Sequence, residues 1–364
     1  MHRTFTPGAT AVIKYLGSKR TLLPLIGEAI DALQGTRSVI DLFSGTSRVG
    51  HALKGSGYQV FSNDLNAYAA TLARCYVEAD REEIYDEVAE HVEALNAMPG
   101  APGYFTRTFC EEARFFQPKN GARVDAIRDW IAAQDLDPSV RSVLLVSLME
   151  AADRVDSTTG VQMAYLKQWA KRSHKDLELR VPNVLSRAAH GRGSVTQLDA
   201  MEAAKRLSAD VAYLDPPYNQ HKYIGNYHIW ETLVRWDAPE AYGVACKRID
   251  VRERKSPYNS KRAIHSAMTD LVGVIDAGAL VVSYSNEGYI SRDDMVQLLS
   301  SRGDVFVREV GYRRYVGAQI GVHNPKGERV GTTSHLRNTE YLFVVPTHPD
   351  QLFQNPNWTG LSAS

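Results

Sequence analysis

An aspartate, two prolines and a tyrosine follow a short apolar run in VAYLDPPYNQHKY, at 211–223. The run 211–214 predicts a buried strand, which places Asp215 at its carboxyl end. Pro217 fixes its own φ at about −65° and restricts Pro216 to an extended conformation. The pair therefore predicts a stiff turn that presents a carboxylate, carbonyl oxygens and the ring of Tyr218. Because ligands bind at the carboxyl ends of strands in open α/β sheets, we interpret 215–218 as a functional site. A purely structural Asp-Pro turn is the simpler alternative.

A strand, a small-residue loop, a helix and a second strand are predicted for SVIDLFSGTSRVGHALKGSGYQVFSNDLN, at 38–66. Asp64 follows Asp41 by 23 residues, and nucleotide-binding βαβ units place an acid about 20 residues on, where it binds ribose hydroxyls. The loop has one glycine, Gly45, whereas a dinucleotide pyrophosphate needs about two or three. S-adenosylmethionine has an adenine, a ribose and an amino acid but no pyrophosphate, so this loop suits it. A βαβ unit that binds nothing is the alternative.

The rest of the chain alternates between helix-rich and strand-rich stretches. Helical periodicity dominates 80–190, which predicts a helical insertion that ends in a basic loop. Strands are predicted near 194–200, 209–214 and 279–290, followed by an antiparallel pair at 305–316 and 338–345. We therefore predict an α/β chain with the catalytic domain in two parts, 1–79 and 191–349, the insertion at 80–190, and a loose tail at 350–364.

Bulk properties narrow the class of protein. The 364 residues are 44% hydrophobic, and no apolar run approaches the roughly 18 residues of a membrane span. The first ten residues lack the apolar core of a secretory signal. Three widely spaced cysteines, Cys75, Cys110 and Cys246, are odd in number and lack metal-ligand spacing. We expect a reduced, cytoplasmic protein without a metal site.

Charge is balanced overall but segregated along the chain. The 42 basic and 42 acidic residues argue against a non-specific polyanion binder. The segment 244–262, however, holds seven Lys or Arg against two acids. Such segregation is typical of a protein with one nucleic-acid face.

The order of these blocks resembles the Dam-like (alpha-class) DNA amino-methyltransferases, of the Asp-Pro-Pro-Tyr type. KYLGSKR at 14–20, DLFSGT at 41–46, the acid at 64, a helical insertion and LDPPYN at 214–219 follow one another in that order. The resemblance extends from about 14 to 345 and implies a Rossmann-like S-adenosylmethionine-dependent methyltransferase fold whose insertion reads the target. It implies methylation of the exocyclic N6 amine of adenine in duplex DNA by base flipping. One departure is the loop that in this class reads Phe-x-Gly-x-Gly, because its last position here is Ser47.

The resemblance assigns roles position by position. Tyr15 and Lys19 approach the amino-acid end of the cofactor, Asp64 binds the ribose and Asp199 lies near the adenine. The cofactor-binding set is Tyr15, Lys19, Phe43, Ser44, Gly45, Thr46, Asp64, Asp199 and Asp215. The catalytic set is Asp215, Pro216, Pro217 and Tyr218. In it the carboxylate and the Pro216 carbonyl accept hydrogen bonds from the amine, and Tyr218 stacks on the extruded base.

Duplex DNA is the expected macromolecular partner. The basic loop of the insertion, the turn after 218 and the segment 244–262 supply its candidate contacts. These are Lys167, Lys171, Arg172, Lys222, Tyr223, Lys247, Arg248, Arg254 and Lys255. Trp230 and Trp236 are expected in the core instead. Whether a restriction endonuclease acts beside the protein, and which DNA sequence is read, stay open.

The residues also bear on four alternative functions. Methylation of the cytosine N4 amine uses the same chemistry, but such enzymes more often carry Ser at the Asp215 position. Cytosine carbon-5 methylation needs a nucleophilic Cys, usually after Pro, and here the cysteines follow Arg, Phe and Ala. The single-glycine loop disfavours a nucleotide-dependent oxidoreductase. The intact Asp-Pro-Pro-Tyr disfavours an inactive DNA-binding module.

Overall fold

A computed structural model describes residues 13–17, 19–313, 322–323, 329–331, 337–348, 352–353, 355 and 357–361. Most of the connection between the two strands of the predicted antiparallel pair lies outside these residues. The strands are β1 (Ser38–Asp41), β2 (Gln59–Asn63), β3 (Ser194–Thr196), β4 (Ser208–Leu214), β5 (Ala241–Tyr242), β6 (Lys247–Arg248), β7 (Asp276–Ser285), β8 (Val305–Arg313), β9 (Val322–His323), β10 (Arg329–Gly331), β11 (Arg337–Pro346) and β12 (Thr359–Leu361).

Helices of very different length connect these strands. They are α1 (Leu23–Asp31), α2 (Arg48–Gly55), α3 (Ala67–Ala73), α4 (Arg81–Ala97), α5 (Tyr104–Thr106), α6 (Pro118–Ala133), α7 (Pro138–Arg154), α8 (Ala200–Ala204), α9 (Tyr223–Asn226), α10 (His228–Arg235), α11 (Ile264–Val274) and α12 (Arg292–Leu299). Short 3₁₀ turns lie at Lys19–Thr21 and Lys171–His174. Residues 74–78 and 107–111 form π-helical turns that continue α3 and α5.

The main sheet confirms the predicted Rossmann-like architecture. Its strand order within the described residues is β3-β2-β1-β4-β7-β11-β8-β12. The five strands from β3 to β7 are parallel, and β11 is antiparallel to both β7 and β8, which confirms the predicted antiparallel pair. Asp41 at the end of β1 is in register with Ser62 of β2 and Tyr213 of β4. The carboxyl ends of these strands therefore meet at one edge of the sheet.

Two apolar layers cover the sheet. Successive residues of a strand point to opposite faces, so Val39 packs with α1 and α2 while Ile40 packs with α8 and α11. Both residues are at most 2% exposed. Burial on both faces explains why Val39 and Ile40 of β1, and the last four residues of β4, are consecutive apolar or aromatic residues.

The helical insertion shares its core with the catalytic part. Tyr68 of α3, Leu144 of α7 and Trp230 of α10 belong to one buried cluster. The residues on either side of the expected boundary at 79/80 thus pack into the same core. Trp230 is a core residue as predicted, whereas Trp236 is half-buried and its indole N–H donates to Asp129 at 2.7 Å.

The expectation of a loose tail is wrong for the described residues beyond 350. Phe353 and Trp358 are buried with ring centroids 5.4 Å apart, and Phe353 also packs on Phe306. Thr359–Leu361 pairs with β8. Two large aromatic side chains supply the apolar area that fixes a segment of polar appearance.

Membrane-spanning helices and metal sites can be searched for within the described residues. No helix within the described ranges is long and apolar enough to cross a membrane. Across the same residues, no group of three or more acidic, His or Cys side chains is arranged to hold a metal ion. Cys75, Cys110 and Cys246 are buried and free.

Candidate active site

One pocket opens at the edge where the parallel strands end. The loops after β1, β2, β3 and β4 line it, together with the N-terminal loop and the segment before α11. The residues predicted to bind a cofactor all lie in this lining: Tyr15, Lys19, Phe43, Ser44, Gly45, Thr46, Asp64, Asp199 and Asp215. Pro217, Lys222, Tyr223, Arg254 and Lys255 lie there too. Residues that are far apart in the sequence thus meet around one cavity.

The loop after β1 keeps a tight path despite its serine. Gly45 has φ 51° and Ser47 has φ 57°, both in the left-handed region that glycine adopts most easily. The Ser47 amide donates to the Ser44 carbonyl at 2.6 Å. The backbone therefore turns as it would with a second glycine, and the serine accepts the strained conformation.

Asp64 ties the loops after β1 and β2 together. Its Oδ2 accepts from the Gly45 amide at 3.0 Å, and its Oδ1 accepts from the Asn66 amide at 2.9 Å. Burial raises the pKa of this carboxyl to about 6, although these hydrogen bonds oppose the shift. Asp199 is exposed at the pocket and caps α8 through the Met201 amide at 2.9 Å.

Asp41 lines the pocket but is absent from the predicted cofactor-binding and catalytic sets. It is 1% exposed, and its Oδ2 has no hydrogen-bond partner among the described residues. Burial, followed by the charge of Asp215, raises its pKa to about 7. Its position at the end of β1, directly before a small-residue loop, was the available signal.

The raised pKa of Asp41 has a consequence for stability. The folded pKa of about 7 exceeds the value of 3.8 expected without burial, so this carboxyl destabilises the fold increasingly as pH rises between those values. We expect Asp41→Asn to raise the melting temperature by several degrees at pH 8 and by less than half as much at pH 5. The control is Asp293→Asn, at a carboxylate whose side chain is 89% exposed. An equal gain at both pH values would contradict the assignment.

Lys19 lies between two carboxylates. Its Nζ is 3.1 Å from Asp215 Oδ1, and it also forms an ion pair with Glu340 Oε1. Burial raises the pKa of Asp215 to about 6, while the Lys19 ammonium opposes the shift. Contact between Lys19 and the amino-acid end of a cofactor stays a prediction, and within the described residues the Lys19 ammonium pairs with Asp215 and Glu340.

Tyrosine rings form one wall of the pocket. Tyr15 lies between Tyr227 and Tyr223, with ring centroids 4.4 Å and 5.3 Å away and nearly parallel planes. Tyr218 instead packs edge-on against Tyr284 at 5.9 Å. Within the described residues, Tyr218 and Pro216 are not part of the pocket lining. Tyr223, unlike Tyr218, therefore lines the cavity.

The expectation that Arg248 contacts DNA is contradicted. Its side chain is 2% exposed, and its guanidinium pairs with Asp237 at 2.7 Å and with Asp250 at 3.1 Å. A bidentate pair of this kind fixes β6 to the end of α10, because arginine matches a carboxylate with two parallel hydrogen bonds. Arg254 is half-buried at the pocket and pairs with Glu231 at 3.0 Å.

The other basic candidates differ in their exposure and in the partners that their charged groups contact. Arg172 pairs with Asp156 at 2.6 Å, and Lys247 contacts Met163 Sδ at 3.0 Å. The Lys222 ammonium donates to the Val251 carbonyl at 3.3 Å. Lys167, Lys171 and Lys255 are exposed. Only some of the predicted cations therefore present their charge to solvent.

Comparison with known proteins identifies the family of this chain. Residues 15–297 match the family model described as D12 class N6 adenine-specific DNA methyltransferase. The chain belongs to this family. The match spans the N-terminal loop, the insertion and the Asp-Pro-Pro-Tyr turn, so it includes every lining residue of the pocket.

Curated methylases are similar over most of the chain. Modification methylase StsI of Streptococcus sanguinis is 31% identical over 327 residues, 85% of this chain and 50% of that protein. Type II methyltransferase M.NlaIII of Neisseria lactamica is 29% identical over 348 residues, 92% of this chain and 99% of that protein. Type II methyltransferase M.FokI of Planomicrobium okeanokoites is 30% identical over 355 residues, 92% of this chain and 52% of that protein. The chain thus spans about half of StsI and M.FokI and nearly all of M.NlaIII.

Proposed function

We propose that this D12 class protein transfers a methyl group from S-adenosylmethionine to the N6 amine of adenine in duplex DNA. The observation that carries the proposal is the position of Asp215. Its carboxylate lines the same cavity as the 43–46 loop and Asp64. A methyl donor and a target amine can therefore reach the same carboxylate. Transfer of a labelled methyl group from S-adenosylmethionine to unmethylated duplex tests the proposal, and no label above a protein-free control would contradict it.

The polar groups of the pocket fit this cofactor. Asp41 Oδ2, Ser44 Oγ and Arg48 Nε are buried without a hydrogen-bond partner among the described residues, and all three residues line the cavity. Unsatisfied buried polar atoms are costly, so a ligand that pairs with them gains affinity. Asp41 suits an amine, Arg48 suits a carboxylate, and Asp64 suits the two hydroxyls of a ribose.

The residues at the end of β4 can assist an amine that is a poor nucleophile. The lone pair of an exocyclic amine is delocalised into the base, and the bound cofactor supplies a methyl group already activated on a sulfonium. Asp215 and the Pro216 carbonyl can accept hydrogen bonds from the two amine hydrogens. These bonds stabilise the positive charge that grows on nitrogen, an electrostatic effect that is usually large in catalysis.

An aromatic wall suits a base removed from the duplex. Extrusion costs a few kcal/mol, which stacking on an aromatic ring helps to offset. Tyr223 presents its ring at the cavity, next to Tyr15. We propose that Tyr223 stacks on the target base, and that Tyr218 supports the turn through its contact with Tyr284.

The DNA face should follow the carboxyl edge of the sheet. Lys261 and Arg262 are exposed directly before α11, which runs from that edge towards the start of β7. We expect the double substitution of Lys261 and Arg262 by Gln to weaken cognate and random duplexes equally. It should lower the salt slope by roughly two, because each phosphate contact contributes about 0.9. Fluorescence anisotropy at several salt concentrations measures both quantities.

A matched control lies at the opposite edge. Lys205 and Arg206 are an adjacent exposed pair after α8, next to the start of β4, and both pair with Glu202. Their replacement by Gln should leave DNA affinity within about twofold, as expected for surface charges away from the DNA. A loss confined to the cognate sequence at 261 and 262 would contradict a backbone contact.

We also propose a cognate restriction endonuclease as a partner in the cell. M.NlaIII and M.FokI are named type II methyltransferases, and methylases of this type belong to restriction–modification systems. DNA methylated by this protein should then resist one endonuclease from the same cells. Cleavage of methylated and unmethylated DNA at equal rates by extracts of those cells would contradict the partnership.

A further inference from the structure

A buried charge cluster, made of Lys19, Asp215 and Glu340, joins the pocket to β11. Lys19 and Asp215 line the cavity, whereas Glu340 is not part of its lining. The side chains of Lys19 and Glu340 are 9% and 3% exposed. With two carboxylates and one ammonium ionised, the cluster carries one net negative charge.

The second carboxylate changes what Lys19 does to Asp215. In a simple pair, the ammonium would neutralise Asp215 and oppose a positive charge arriving beside it. Glu340 shares that ammonium, and the Ser283 hydroxyl donates to Glu340 Oε1 at 3.2 Å. β11 is hydrogen-bonded to β7, with Glu340 in register with Ser285, so the carboxylate stands on a central strand. Its position is fixed by the sheet rather than by a loop.

We propose that Glu340 is a positioning residue for methyl transfer. It shares Lys19 with Asp215, so the single ammonium does not cancel both carboxylate charges and the cluster favours a positive charge in the pocket. This inference rests on the proposed function and adds to it a preference for a cationic cofactor over its neutral thioether product. Charges buried at low dielectric interact more strongly than in water. One net negative charge on the cluster therefore attracts a cationic cofactor appreciably.

The titration of Asp215 provides a second signature. The titratable groups that face it come from several elements: Lys19, Asp41, Tyr213, Tyr223 and Glu340. Burial raises the pKa of Asp215 most, the Lys19 charge lowers it, and the Glu340 charge raises it. Loss of the Glu340 charge therefore lowers this pKa. The acid limb of the methylation rate should move to lower pH in Glu340→Gln, while its plateau falls.

Calorimetry with three ligands tests the charge preference directly. Glu340→Gln should weaken S-adenosylmethionine and sinefungin, which are cationic at the reacting position, by roughly tenfold. S-adenosylhomocysteine, the neutral thioether, should change by less than about twofold. Glu340→Asp keeps the charge and should keep the preference within about twofold of wild type, even if Glu340→Gln proves too unstable to measure. The matched control is Glu309→Gln, on the neighbouring strand β8, where the carboxylate is 54% exposed.

The outcomes separate this inference from the proposed function. Failure of the wild-type protein to bind S-adenosylmethionine would contradict the proposed function. Normal wild-type binding, with equal losses of all three ligands in Glu340→Gln, would show a structural role and overturn the inference. An acid limb that moves to higher pH, or a folded Glu340→Asp without the preference, would overturn it as well.

Discussion

Replacement of Asp215 by alanine should slow methyl transfer by about 100- to 1000-fold, the usual effect of losing one preorganised group that stabilises the transition state. The substitution leaves the Pro216 carbonyl as the remaining acceptor for the amine. Lys19 keeps Glu340 as an ion-pair partner, so no buried ammonium is left alone and the fold should survive. The measurement is single-turnover methylation with DNA and cofactor saturating, with a melting curve for each variant.

Two further variants sharpen this expectation. Asp215→Asn retains an acceptor oxygen but loses the charge, so it should be faster than alanine and slower than wild type. Asp293→Ala, at an exposed carboxylate, should methylate at the normal rate. A folded Asp215→Ala protein with near-normal activity would mean that the turn after β4 is structural only.

Replacement of Asp64 by alanine should weaken cofactor binding by roughly 1.5–3 kcal/mol, the contribution of hydrogen bonds to a charged group. The variant lacks the carboxylate that we propose to bind the ribose hydroxyls. It also lacks the acceptor of the hydrogen bond from the Gly45 amide. Asp64→Asn can still accept from Gly45, so the difference between the two variants separates loop anchoring from ribose binding. Calorimetry with S-adenosylmethionine measures both.

A surface aspartate provides the reference for Asp64. Asp176 pairs with Lys119 and its side chain is 89% exposed, so Asp176→Ala should bind the cofactor as wild type does. Unchanged affinity in Asp64→Ala would remove this residue from the ribose site. Equal affinity in the alanine and asparagine variants would show that the carboxylate charge matters more than the loop.

Local patterns were sufficient to predict the strands and the loops that end them. Apolar residues at 39–40 and 211–214 predicted buried strands, and the order of the predicted strands and helices along the chain predicted an α/β sheet. Asp215 follows such a run directly and Asp64 follows the second predicted strand of the βαβ unit, so their meeting at one edge was predictable. Ser47 illustrates the limit, because only the structure shows that a serine takes the glycine-like conformation.

Partners that are distant in sequence were not predictable. The basic segment 244–262 gives no sign that Arg248 is buried against Asp237 and Asp250, because those pairs depend on how β6 packs against the end of α10. Glu340 reads as one polar residue in a strand, yet 321 positions separate it from Lys19. The packing of Phe353 and Trp358 was not predictable either, because it accompanies the pairing of β12 with β8.

Mass spectrometry of nucleosides is the most direct measurement of the central claim. Unmethylated duplex DNA is incubated with the protein and isotopically labelled S-adenosylmethionine, then digested to nucleosides. We predict labelled N6-methyladenine, absent from an Asp215→Ala reaction run beside it. Labelled N4-methylcytosine, or no methylated nucleoside from a folded protein that binds the cofactor, would contradict the account.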